Sequence, residues 1–205
     1  MRKLPLLSLV IANLIPIYGV LFYNWNLTTV PFLYWAEVVI VGLYFIPKTY
    51  LAVKYGGLTW EIPTKLSKNV QQIISQVFVL SFFIFYFLIL AALHYSIVVK
   101  LFGIPDVDSY ILFAITIFVI SHGISFFTNY IGNREYEKIY VNEDNVFALH
   151  MRRVWLVQIV VIGGGLIAME KSSSSMIILV SLVIKMILDV HTHYQEHKKL
   201  GSYST

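Results

Sequence analysis

Six stretches of the 205-residue chain are long and apolar: about 4–23, 29–47, 76–100, 108–131, 146–169 and 174–194. A hydrocarbon core roughly 30 Å thick takes about 20 apolar residues of helix. Inside hydrocarbon the backbone amides must be satisfied within the protein, and apolar runs of this length do so as helices. The expected fold is therefore all-α: a polytopic membrane helix bundle with six transmembrane helices, forming one domain over residues 1–205. Only 13% of residues are charged, about half the share of a soluble domain, which leaves no room for a soluble enzyme module. Cysteine is absent, so disulfides, thiolate ligands and cysteine nucleophiles are excluded.

Basic residues set the expected orientation. Arg2, Lys3, Lys48, Lys54, Lys65, Lys68, Arg134, Lys138, Arg152, Arg153, Lys198 and Lys199 share one side, against Lys100 and Lys171 on the other. The positive-inside rule then places both termini in the cytoplasm of a multi-pass cell-membrane protein. The same asymmetry accounts for the net charge of +4, so no nucleic-acid partner is called for. The partner is the lipid bilayer, and homo-oligomerisation is compatible with it. The opening MRKLPLLSLVIANL begins like a signal peptide but lacks a small-x-small cleavage site, and reads as an uncleaved first span. Pro16 is expected to kink that span, and Asp108 to cap the fourth. Lys65 to Gln72 reads as an interfacial lead into the third, and 132–145 as a solvated loop. Ser172 to Ser175 reads as a tight turn, and Gly163-Gly164-Gly165 as a point of close helix approach. Pro31 to Trp35 and Trp60 read as belt residues at the membrane interface.

Polar residues inside the spans are the functional candidates, because a mid-span charge costs roughly 2.5–3.5 kcal/mol to insert. At about 1.5 Å rise per residue, His122, His150, Asp189 and His193 reach the cytoplasmic half of the membrane from three helices. Asp189 and His193 stack one turn apart, with His191 off that face. His122, Ser125 and Asn129 form a stripe, as do His150, Val154 and Gln158. Imidazoles with a carboxylate suit a divalent metal, zinc first and iron second. Asp189 is then a fourth ligand or the catalytic base toward metal-bound water. Asp189 is also four residues from Lys185, the spacing of an intrahelical ion pair. No HExxH occurs. A second set lies shallower: Glu37, His94 and Lys185, where a Glu37–Lys185 or Glu37–His94 pair would neutralise buried charge, with Asn13 and Tyr34 able to complete the network.

Tyr34-Trp35-x-Glu37, the run SHGISFFTNYI from Ser121, His150 before basic residues, and Asp189-x3-His193 resemble an uncharacterised prokaryotic six-span membrane family of unknown function. That resemblance implies the six-helix topology and marks Glu37, His122, His150, Asp189 and His193. The Asp189-x3-His193 pair is also faintly similar to the zinc-dependent adiponectin-receptor and alkaline-ceramidase hydrolases, whose seven spans and full serine and histidine pattern are not matched.

The first functional expectation is an intramembrane metalloprotein, read as a metal-dependent hydrolase of lipid or peptide bonds. The alternatives are a small proton-coupled transporter using buried Glu, His, Asp and Lys, a haem-binding electron carrier with axial histidines, and a non-catalytic assembly subunit. The absence of an inverted repeat counts against the transporter. Six spans require that reporter fusions at Thr205 and within 172–175 report opposite sides of the membrane. The same side for both refutes the topology.

Overall fold

Continuous helix dominates because the apolar runs leave the backbone no other way to satisfy itself in lipid. The computed structural model describes residues 3–55, 67–137, 146–170 and 174–201. Among them are six α-helices: α1 (Lys3–Phe22), α2 (Thr29–Tyr55), α3 (Lys68–Phe102), α4 (Ser109–Ser125), α5 (Val146–Glu170) and α6 (Ser174–Gly201). A π-helical turn, Phe126–Ile131, continues α4, and Glu135–Glu137 form a 3-10 turn. Helices α1, α2, α3, α6 and α4 with its extension are each long and apolar enough to cross a membrane, and α5 is apolar from Gln158 to Glu170.

Side-chain contacts fix the helix directions. Tyr34 meets Phe118 at 6.4 Å between ring centroids and Tyr44 meets Phe126 at 5.7 Å, so α2 and α4 run parallel. Phe45 packs on Phe87 at 4.7 Å, while Trp35 Nε1 donates to the Ala91 carbonyl at 3.0 Å, so α3 returns antiparallel to α2. Ser8 approaches Ser121 and Tyr23 stacks on Tyr110, so α1 opposes α4. The helices alternate up and down. One end of the bundle, the terminal end, carries Lys3, Tyr55, Lys68, Val146 and Gly201. The core runs through α1, α2, α4, α5 and α6, with Leu33, Ala114, Phe118 and Leu182 almost fully enclosed.

Local chemistry sets the boundaries. Asp108 accepts from the Ile111 amide at 2.8 Å, the cap expected for the fourth span. Asn26 Oδ1 accepts from the Thr28 and Thr29 amides and starts α2. Several boundaries differ from the sequence reading. Helix α2 passes through Pro47 to Tyr55 rather than stopping near residue 47, as membrane helices permit when neighbours re-satisfy the freed carbonyl. Helix α3 starts at Lys68, so residues 68–72 of the proposed interfacial lead belong to it, while 65 and 66 lie outside the described residues. Pro31, Leu33 and Tyr34 are buried in the core: they face the bundle and are not belt residues. Trp60 and the 138–145 part of the loop lie outside the described residues, as do residues 171–173 of the last turn.

The glycine triplet behaves unevenly. A Cβ on Gly164 would stand 1.9 Å from Ser181 Oγ, and one on Gly165 2.7 Å from the Phe102 ring, whereas Gly163 has nothing within 4 Å. Backbone approach between α5 and α6 therefore depends on Gly164. Gly164→Ala should destabilise the purified protein by about 1–3 kcal/mol in thermal unfolding, through overpacking. Gly163→Ala should be neutral, or stabilising by up to about 1 kcal/mol from helix propensity. Equal effects at the two sites would contradict this packing.

Candidate functional site

Four helices deliver polar side chains to one buried point. Lys185, in the middle of α6, has no exposed surface, and its ammonium has an acceptor for each of its three N–H donors. It donates to Asn13 Oδ1 of α1 at 2.7 Å. It donates to Glu37 of α2, at 2.8 Å to Oε2 and 3.2 Å to Oε1. Asp189 Oδ2, one turn along its own helix, lies 2.6 Å away. The ammonium also sits 4.7 Å from the centre of the buried Tyr34 ring, a cation–π contact. On the other side of Glu37, His122 Nε2 of α4 lies 3.5 Å from Oε1.

Helical spacing explains how the residues meet. Asp189 is four residues from Lys185 and so shares its face. Tyr34 and Glu37, three apart on α2, present ring and carboxylate to the same ammonium. Asn13 lies mid-helix in α1, and its amide nitrogen donates back to the Leu9 carbonyl at 2.9 Å, which orients its oxygen toward Lys185. Burying such charges is expensive, several kcal/mol for each ion, and only complete pairing offsets it.

The two polar sets read from the sequence are thus a single cluster in part. Glu37 and Lys185 pair, Asn13 and Tyr34 join them, and both His122 and Asp189 belong here as well. His94 does not: it is buried on α3, and neither ring nitrogen has a hydrogen-bond partner among the described residues. His193 is buried one turn beyond Asp189, and His191 is exposed. His150 lies in α5, but its side chain is outside the described residues. Among the described residues no group of three or more His, Asp or Glu side chains could hold a metal ion. Of the four donors expected to ligate zinc or iron, His122 contacts Glu37 and Asp189 pairs with Lys185. Depth along a helix placed His122 level with Asp189, and both reach the same cluster, through Glu37 and Lys185 respectively. The stripe His122, Ser125, Asn129 is further broken because the π-helical turn shifts register after Ser125.

A groove of about 640 Å³ opens between α1 and α4 at the end opposite the termini, lined by Leu14, Tyr18, Trp25, Tyr110 and Phe113 among others. Its lining shares no residue with the polar cluster.

A family model matches residues 1–204, nearly the whole chain. The chain belongs to the family of unknown function DUF6498. No curated protein and no solved structure matches it, so the faint similarity to the adiponectin-receptor and ceramidase hydrolases finds no support there.

Removing the shared cation should cost more than removing one of its partners. Lys185→Met leaves Glu37 and Asp189 buried without it, and should destabilise the purified protein by about 3–5 kcal/mol. Glu37→Gln keeps the Lys185–Asp189 pair, and should cost about 1–3 kcal/mol. Thermal unfolding in detergent measures both, and the reverse order would contradict the shared-cation arrangement.

Proposed function

We propose that this protein is a proton-coupled transporter of the cell membrane, with the Lys185 cluster as its coupling centre and both termini in the cytoplasm. One observation carries the reading: a fully buried ammonium is shared between carboxylates on two helices, at 2.8 Å to Glu37 and 2.6 Å to Asp189, with His122 in contact with Glu37. Lys185 offsets one of the two carboxylates. The cluster therefore carries one negative charge in excess unless a proton resides on His122 or on a carboxylate. A bilayer makes such an imbalance costly, so a proton entering or leaving changes which contacts hold.

The contacts are arranged for that. Asp189 belongs to the same helix as Lys185, so their pair survives any movement of α6 as a body. Glu37 and Asn13 tie Lys185 to α2 and α1, and these are the ties that a change of helix packing breaks. A proton that neutralises Glu37 weakens the inter-helix tie while Lys185 stays paired with Asp189. This is a two-state element biased by a local charge change. The metal-dependent hydrolase draws less support, because Asp189 already faces an ammonium, and a divalent cation on the same carboxylate would be repelled by it.

The test uses purified protein in lipid vesicles with a pH-sensitive dye trapped inside. Panels of cationic, anionic and neutral solutes are added outside under an imposed pH gradient. At least one class should change the internal pH in vesicles holding the native protein, and Glu37→Gln should abolish that change. No response to any class under either gradient direction sinks the transporter reading. A stoichiometric metal in the purified protein, lost on His122→Ala, would instead favour the metalloprotein.

A further inference from the structure

Three buried polar residues lie beside the cluster, near the junction of α2, α3 and α5. Val38, Leu90 and Val154 pack together there, one from each helix. Four residues from each, one turn toward the end opposite the termini, stand Tyr34, His94 and Gln158. Helices α3 and α5 advance in step from the Leu90–Val154 contact to the Phe102–Gly165 contact, which sets His94 level with Gln158. On α2, the Trp35 indole donates to the Ala91 carbonyl and packs on Tyr95 at 4.9 Å, contacts that bracket His94 and bring it level with Tyr34.

All three side chains are buried, with 1% of Tyr34, 3% of His94 and 5% of Gln158 exposed. The Tyr34 hydroxyl, both His94 ring nitrogens and Gln158 Oε1 have no hydrogen-bond partner among the described residues. Buried polar groups are normally satisfied, by protein or by ordered water. Three unsatisfied groups stand at one level on three neighbouring helices, each in need of a polar partner. Their chemistry identifies it. Gln158 Oε1 only accepts, the Tyr34 hydroxyl donates and accepts, and a neutral imidazole offers one donor and one acceptor. The set is uncharged and mixed, which matches water rather than an ion, and water needs two to four such partners.

We propose that Tyr34, His94 and Gln158 hold ordered water, and that this site passes protons to and from the Lys185 cluster. The connection runs through Tyr34, whose ring already contacts the Lys185 ammonium. His94 is the relay: a proton received from water at one ring nitrogen is matched by one released to water from the other, so the imidazole returns to neutrality. The proton-passing role rests on the coupled-transport reading; the hydration does not.

The test therefore has two arms. In lipid nanodiscs with ¹⁵N-histidine label, the His94 ring, assigned by its loss in His94→Phe, should exchange magnetisation with water in the native protein and in Glu37→Gln. Gln158→Leu, which keeps the imidazole, should weaken that exchange. In dye-loaded vesicles His94→Gln should slow solute-driven proton movement by about 100-fold, with its melting temperature close to native. A ring dry in native protein overturns the inference whatever the vesicles show. A wet ring with unaltered proton movement in His94→Gln overturns the relay. A wet ring with no proton movement in the native protein confirms the hydrated site and overturns the transporter.

Discussion

The bundle depends on one ammonium group. Lys185 sits where four helices come close, and every N–H it carries has an acceptor supplied by α1, α2 or α6 itself. Without it Glu37 and Asp189 would be uncompensated charges in an apolar interior. Without them the lysine would be. The arrangement therefore selects one relative placement of these helices rather than merely tolerating it. Apolar packing in a membrane is poor at that task, because lipid and helix faces are equally greasy.

The surroundings support the same placement. Tyr34 lies against both Lys185 and Phe118, linking the cluster to α4. Tyr44 donates to the Val119 carbonyl at 3.0 Å, and its ring lies near His122 and Phe126. Trp155 Nε1 donates to the Tyr86 hydroxyl at 2.9 Å, a link between α5 and α3 on the far side. Aromatic residues thus act as inter-helix spacers here, with polar tips that find carbonyls or hydroxyls across the interface.

Much of the fold was legible because hydrocarbon thickness fixes helix length and the amide groups fix helix itself. The ends were less so: Pro47 looks like a terminator, yet α2 continues past it. Within the site, pairs on one helix were readable from spacing alone, as Lys185 with Asp189 was. Pairs between helices were readable only as charge bookkeeping, which indicated that Glu37 needed a cation and that Lys185 was near its depth. What spacing does not carry is rotation about the helix axis. That is why the contact of His122 with Glu37 was not foreseen and His94 stayed a candidate for Glu37. The π-helical turn at Phe126–Ile131 has no signature in the local sequence, and it alters the face that Asn129 presents. Tyr34 was read both as an interfacial aromatic and as a member of the Glu37 network, and its burial against Lys185 fits the second reading.

The two carboxylates of the cluster have different histories during synthesis. Asp189 emerges with its cation already one turn upstream, so α6 can enter the bilayer as a self-neutralising helix. Glu37 lies on α2, and Lys185 on α6, four helices later among the described residues. Throughout the synthesis of α3, α4 and α5, Glu37 has no ammonium to meet, and a nascent chain cut short before α6 would leave that carboxylate stranded in lipid. The arrival of α6 is thus what closes the cluster, and the earlier helices hold a place for a cation that they do not themselves supply.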